Sequence, residues 1–289
     1  MSVVLITGCS TGIGYETALA FARNGDTVVA TMRDVSKATA LEAAASAEDL
    51  PIEIEQLDVR DDDSVSRAIA AVMGRHGRID VLVNNAGVSP LAAFELVSQD
   101  EIETVWDTNF FGALRMVKAV VPAMRERGSG TILNVSSITS RIPGPTSTIY
   151  SSSKAALSAF SEGLAQELHP FGIRVAAFEP GQFATPGAER SISSLSASDS
   201  PYATAERRMK LIIQQGAEQA EDPADVAAVL VATTEAEKLE SFRTIVGVGG
   251  KIFVDGRARI SDQDVLEMVA AETDEEYFAL FAQAYAPSE

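Results

Sequence analysis

Short apolar runs alternate along the chain with stretches in which apolar residues recur every three or four positions. The runs predict strands at 3–7, 27–31, 52–57, 81–84, 131–135 and 174–178. The stretches between them predict helices at about 12–24, 35–47, 63–76, 98–126 and 150–169. Near-continuous apolar strands are buried on both faces, and strand–helix alternation implies a parallel sheet with helices on each side. Right-handed crossovers then give an α/β fold, a doubly wound parallel sheet of Rossmann type in three α/β/α layers.

Two regions break this rhythm. Residues 186–204 are rich in Ser, Ala and Pro, and a loop that long in a compact domain predicts a lid or a disordered segment; the lid is placed at about 186–215. The acidic tail at about 261–285 reads as helical, with Tyr277, Phe278, Phe281 and Tyr285 on one face. That face suits packing on the surface, a dimer contact or a cover for a cleft. No internal repeat is visible, so 1–289 reads as one domain with a lid and a helical tail.

Composition narrows the class. With 46% hydrophobic and 22% charged residues the chain can bury a core. No apolar run approaches the roughly 20 residues that span a bilayer. A strand beginning at Val3 leaves no room for a secretory leader, and a single cysteine, Cys9, forms no internal disulfide. A cytoplasmic protein without a membrane anchor is expected. The net charge of −18 repels nucleic acid and anionic lipid. Two histidines and one cysteine argue against a transition-metal site.

The first strand runs into Thr7-Gly8-Cys9-Ser10-Thr11-Gly12-Ile13-Gly14, which opens the first helix. Glycines permit a tight turn and close approach of backbone to a pyrophosphate, and a helix N-terminus offers free N–H groups and a favourable dipole. A plain strand–helix turn would also use glycine. Asn84-Asn85-Ala86-Gly87 ends the fourth strand, at the carboxyl edge where such folds bind ligands. Paired Asn residues also suit bonds between strands. Asp58 closes the third strand, followed by Val59, and can accept from an adenine amino group or cap the next helix, as Asp61 or Asp62 can. At the end of the second strand, Met32 stands where an acidic residue would bind a ribose 2′-hydroxyl. Arg33 beside it can grip a 2′-phosphate, which favours NADP(H) over NAD(H). Asp34 can oppose this by neutralising Arg33 or reaching the ribose, and Arg33 can also be a solvated helix-end residue.

Tyr150 and Lys154 share a helical face one turn apart, and Ser137 lies thirteen residues before Tyr150. Five tyrosines and six lysines produce this pair by chance in roughly one such chain in ten, so its placement after the fifth strand carries the weight. An ammonium about 4 Å from a phenol supplies roughly the 4 kcal/mol needed to bring a pKa near 10 towards neutrality. Ser136 beside Ser137 is a competing serine.

The TGxxxGxG loop, NNAG at 84–87, Asn109, Ser137, Tyr150, Lys154 and Pro180-Gly181 with Thr185 together resemble the classical short-chain dehydrogenase/reductase family over about 1–185. The resemblance implies that Tyr150 is the general acid or base, that Ser137 steadies the substrate oxygen, and that Lys154 also binds the nicotinamide ribose. Asn109 would hold a water leading from Lys154 to solvent; on sequence alone it suits a helix kink or a structural amide equally. The implied cofactor contacts are Gly8, Ser10, Thr11, Gly12, Ile13 and Gly14 in the loop and Arg33, Asp58 and Val59 after the next strands. Asn85, Ala86, Gly87, Tyr150, Lys154, Pro180, Gly181, Phe183 and Thr185 complete them. Phe183 departs from the commoner Val or Ile and would narrow the cleft.

The segments 30–34 and 243–247 with Lys251 are similar to the retinol and 17β-hydroxysteroid dehydrogenase subgroup, which implies a hydrophobic alcohol or carbonyl substrate. Ile138, Pro143, Ile149, Phe183, Leu195, Val88, Leu91 and Phe94 are the expected cleft residues. The resemblance further implies a homodimer or homotetramer. A non-catalytic NADP(H) sensor and a sugar-nucleotide epimerase remain as other readings of the same fold.

Overall fold

The computed structural model describes residues 1–187, 191, 199–218 and 220–286. Seven parallel strands form one sheet in the order β3-β2-β1-β4-β5-β6-β7. These are β1 (Val3–Thr7), β2 (Thr27–Met32), β3 (Ile52–Gln56), β4 (Val81–Asn84), β5 (Gly130–Val135), β6 (Ile173–Pro180) and β7 (Arg243–Val246). The helices between them include α1 (Gly12–Arg23), α2 (Thr39–Glu48), α3 (Asp62–His76), α4 (Gln99–Trp106), α5 (Gly112–Arg127) and α6 (Thr148–Leu168). The C-terminal third adds α7 (Ala203–Glu218), α8 (Pro223–Glu235), α9 (Val248–Arg259), α10 (Asp262–Ala270) and α11 (Asp274–Ala284).

Strand alternation sorts the core onto two faces. Val4 and Ile6 of β1 join Leu19 and Phe21 of α1 and Val226 and Leu230 of α8. Val3 and Leu5 face the other way, with Val72 of α3, Met116 and Met124 of α5, and Leu168. The doubly wound, three-layer expectation is therefore met. The order reverses between β1 and β4, which opens a crevice at the carboxyl ends of these strands.

Three differences from the sequence reading have physical causes. The stretch 98–126 is not one regular helix: a π-turn at Asp107–Phe111 joins α4 to α5. It widens the helix where Asn109 turns inward, buried. β7 is a four-residue edge strand that the apolar pattern did not reveal. The expected lid at 186–215 divides: 188–190 and 192–198, with Leu195, lie outside the described residues, whereas from Ala203 the chain is helical.

The other edge is β3. Glu53 and Glu55 lie on one side of this strand, and Arg75 of α3 bridges them at 3.0 and 2.9 Å.

The tail forms α10 and α11. Tyr277 is buried, and Phe281 and Tyr285 pack on Phe253 of α9 with ring centroids 5.9 and 5.3 Å away. Arg208 of α7, also buried, donates to the Ala271 and Thr273 carbonyls at 2.8 and 3.0 Å and to Asp274 at 3.0 Å. Its guanidinium stacks 4.6 Å from the Tyr277 ring. Arg207 and Arg208 hold the Asp274 carboxyl down at about 2. Packing within the chain accounts for this aromatic face.

Candidate active site

The glycine loop leaves β1 through Gly8 and enters α1 through Gly12, with φ of 76° and 63°. L side chains rarely adopt this left-handed region, so glycine is required at both. The Gly8 and Cys9 amides donate to the Thr31 carbonyl, each at 3.0 Å. Asn85 locks the loop to the end of β4: its side-chain amide donates to the Thr7 and Gly8 carbonyls at 2.8 and 3.1 Å. In return the Thr7 hydroxyl accepts from the Asn85 and Ala86 amides, both at 3.0 Å. A Cβ on Gly14 would overlap Asn85 Nδ2 and Gly8 O, and one on Gly8 would stand 2.9 Å from Ala86 Cα. A Cβ on Gly12 would meet Thr185 at 3.3 Å. Thr11, the N-cap of α1, makes no side-chain capping bond, so the helix end presents backbone donors. Such a side-chain-free cradle over a helix N-terminus fits the pyrophosphate of a dinucleotide.

Cys9, inside this loop, points inward: its Sγ lies 3.3 Å from the Ile6 carbonyl, and burial pushes the thiol up to about 12. The thiol therefore stays protonated and inert near neutrality. Alkylation at pH 8 should leave the folded protein unlabelled and label the unfolded protein once, as read by mass spectrometry. Rapid labelling of the folded protein would contradict the packed loop.

At the end of β2, Arg33 is exposed and its carbonyl accepts from Gln56 at 3.0 Å. Asp34 is occupied elsewhere. It caps the 3-10 turn Val35–Ala38, accepting from the Ser36 amide and hydroxyl at 3.1 and 2.6 Å, and these bonds hold its carboxyl below the usual range. Asp58 accepts from the Arg60 amide at 3.0 Å, while Asp61 caps α3. Val59 is buried against Gly112, and its carbonyl accepts from Arg115 at 3.3 Å.

Ser137, Tyr150 and Lys154 meet at the carboxyl edge of β5. Ser137 caps the 3-10 turn Ile138–Ser140, accepting from the Thr139 amide and hydroxyl at 3.2 and 3.1 Å, and lies near enough to the Tyr150 hydroxyl to favour its ionised form. Lys154 is buried, with Nζ 5.9 Å from the Tyr150 ring centroid. Ser136 faces away, into a bond with the Lys154 carbonyl at 2.9 Å and another with Ser158 at 2.8 Å. The electrostatics differ from the expectation. Lys154 Nζ donates to the Val135 carbonyl at 2.7 Å instead of facing the phenol. Burial lowers Lys154 to about 8 and raises Tyr150, with only Ser137 pulling Tyr150 back. Burial is the leading cause for both groups.

Asn109 is likewise committed. Its amide oxygen accepts from the Val88 amide at 2.8 Å, and its nitrogen donates to the Val88 carbonyl at 2.9 Å and to Ser153 at 3.1 Å. The side chain thus clamps the segment after Gly87 to α6. Gly87 lies between the two halves of the site: a Cβ there would stand 3.3 Å from Asn109 Oδ1 and 3.5 Å from Lys154 Nζ.

Pro180 and Gly181 end β6, and Gly181 packs against Gly250 so closely that a Cβ would stand 2.8 Å from its nitrogen. Phe183 does not narrow the cleft. Its ring is buried in the core with Val226 and Leu230 and lies against Gly247, and its backbone is bridged to Glu221. Leu91 is also buried and Phe94 is exposed, whereas Ile138, Ile149 and Val88 sit near the site. The pattern missed the contribution of α7. Met209 reaches Gly144 in the loop before Tyr150, and Gln182 donates to the Ile213 carbonyl at 2.7 Å. Tyr202 donates to Glu95 at 2.5 Å, joining α7 to the loop after β4. A second missed group is Glu179 on β6, completely buried and bonded to Ser140, Ser158 and Arg141.

The sequence pattern that defines short chain dehydrogenases matches residues 2–195. A 3-ketodihydrosphingosine reductase of Bacteroides thetaiotaomicron is 36% identical over 246 residues, 85% of this chain and 87% of the relative. Retinol dehydrogenase 8 of Bos taurus is 44% identical over 186 residues, 63% of this chain and 59% of the relative. A short-chain dehydrogenase structure from Streptomyces avermitilis superposes with a TM-score of 0.79 at 34% identity, covering 93% of this chain and 94% of the other. The structure of ElxO with NADP bound gives 0.72 at 28% identity, over 87% and 99% of the two chains. The 3-ketoacyl-(acyl-carrier-protein) reductase of Brucella melitensis complexed with NADH gives 0.71 at 25%, over 84% and 96%. No helix among the described residues is long and apolar enough to cross a membrane.

Proposed function

This chain belongs to the short-chain dehydrogenase family, and from that premise we propose that it interconverts a hydrophobic alcohol and its ketone or aldehyde using NADP(H). The observation that carries this reading is the position of Asn85-Ala86-Gly87. One end of the segment locks the glycine cradle, and the other lies beside Lys154. A dinucleotide on the cradle would therefore run towards the Ser137, Tyr150 and Lys154 set.

The nicotinamide, when bound, supplies or receives the hydride. The chain's own residues handle the oxygen. In reduction Tyr150 donates its hydroxyl proton to the carbonyl oxygen; in oxidation it takes that proton back. Ser137 donates a hydrogen bond to the same oxygen. Lys154 stabilises the tyrosinate once its ammonium turns from the Val135 carbonyl. Gly8, Gly12 and Gly14 cradle the pyrophosphate beside Ser10, Thr11 and Ile13, and Asp58 and Val59 flank the adenine. Pro180, Gly181, Phe183 and Thr185 border the nicotinamide through backbone and the Thr185 side chain. Met209 and Gln182 place α7 over the cleft as the helical part of a lid. We further infer a cytoplasmic homo-oligomer associating through α4–α6, where Phe111 is 47% exposed beside Phe110.

The NADP(H) preference rests on Arg33. Asp34 is engaged by Ser36, so it is not held against the guanidinium. A charge-assisted bond contributes about 1.5–3 kcal/mol, so Arg33→Ala should raise the Kd for NADPH roughly 10- to 100-fold and change that for NADH less than about threefold. Equal effects on both cofactors would remove the phosphate role. The reaction itself is tested by steady-state assays with steroid, retinoid and aryl ketone substrates; tight NADPH binding without turnover of any of them would point to a sensor.

A further inference from the structure

β6 is apolar from Val175 to Phe178 and then places Glu179 where it has no solvent exposure. Removing a carboxylate from water is strongly unfavourable unless donors replace the water. Glu179 has three. Ser140 and Ser158 donate to one oxygen at 3.0 and 2.9 Å, and Arg141 Nε donates to the other as an ion pair.

These donors belong to the two segments that present the reacting groups. Ser140 and Arg141 close the turn that begins at Ser137: their amides donate to the Ser137 and Ile138 carbonyls at 3.0 and 2.9 Å. Ser158 lies one helical turn beyond Lys154 on α6. A hydroxyl has one proton, and the charge-assisted bond to Glu179 takes that of Ser158. Ser136 is left to share its own proton between Ser158 and the Lys154 carbonyl. One carboxylate therefore joins the Ser137 turn, the Tyr150–Lys154 helix and the end of β6.

We propose that Glu179 is a positioning residue, whose carboxylate sets the separation of Ser137 from Tyr150 and Lys154 without touching the substrate. The proposal rests on the catalytic reading of those three residues. Its stereochemical content is specific. In Glu179→Gln the charge is lost and one acceptor becomes a donor: an amide nitrogen facing Arg141 Nε sets donor against donor, and one facing the serines forces Ser140 and Ser158 to accept where they had donated. Ser140→Ala cuts the tie to the turn while the charge stays.

Both variants are tested in the full chain by kinetics and by NMR of tyrosine-labelled protein, with the Tyr150 signal assigned through its loss in Tyr150→Phe. Glu179→Gln should lower kcat at least tenfold and Ser140→Ala several-fold. The KM for substrate and the Kd for cofactor should stay within threefold. In both, the Tyr150 signal should shift while that of remote Tyr15 does not. Adding Arg141→Gln to Glu179→Gln restores an acceptor opposite the amide and should recover part of kcat. An unchanged Tyr150 signal, or a lowered thermal midpoint with normal kcat, would overturn the positioning role. Should the wild type turn over no carbonyl or alcohol, the catalytic reading fails, and the NMR arm alone decides whether Glu179 sets the Ser137–Tyr150 contact.

Discussion

Tyr150→Phe is expected to lower kcat by about 10²- to 10⁴-fold, the range for loss of a positioned acid–base group. The change removes one oxygen and leaves the ring, so packing around α6 is kept. The lost oxygen is the one that neighbours Ser137. Phenylalanine has no proton to give to an alkoxide and no lone pair to take one. Most of the cofactor contacts lie on other elements, β1, α1 and the end of β4, and Tyr150 would contribute one hydroxyl among many contacts, so NADPH affinity should change less than about threefold. Steady-state rates and titration of reduced-cofactor fluorescence measure the two quantities independently. A variant within tenfold of the wild-type rate would reject Tyr150 as the proton donor.

Gly14→Ala should have an effect of comparable size on binding. The added methyl would overlap the Asn85 amide nitrogen and the Gly8 carbonyl. Neither can yield cheaply: Asn85 is held by the Thr7 and Gly8 carbonyls, and Gly8 O is backbone. Overpacking of this kind costs about 1–3 kcal/mol, and the strain falls on the loop that faces the pyrophosphate. The Kd for both NADPH and NADH should rise about 5- to 150-fold, with a lower thermal midpoint. Gly163→Ala on the exposed side of α6 is the control, because a Cβ there meets nothing within 4 Å. It should leave binding unchanged and, through helix propensity, raise stability by up to about 1 kcal/mol. Normal binding by Gly14→Ala would show that the cradle tolerates a side chain, against the fit argued above.

Six strands were legible because each is an apolar run bounded by turn residues. The seventh was not, since Arg243–Val246 is a short edge strand with only Val246 buried. α7 was hidden for a different reason. Its fully buried positions are Glu206 and Arg208, so apolar periodicity is absent where the helix packs most deeply. The Ser137, Tyr150 and Lys154 set was readable from spacing, as one helical turn fixes two of the three. The direction of the Lys154 ammonium was not readable, because it depends on the Val135 carbonyl, 19 residues earlier. Glu179 also escaped notice. A single acidic residue before Pro180 resembles an ordinary strand end, and its partners are scattered at 140, 141 and 158.

The outer margin at β3 has a consequence of its own. An open sheet displays a row of unsatisfied amides and carbonyls along its last strand, a template onto which another chain can add. Here Glu53 and Glu55 stand beside that row, fastened at their tips by Arg75. An incoming strand would have to strip water from both carboxylates and contend with the like charge of an identical neighbour. Edge-to-edge addition at this flank of the sheet therefore carries a desolvation cost that a margin of apolar side chains would not impose.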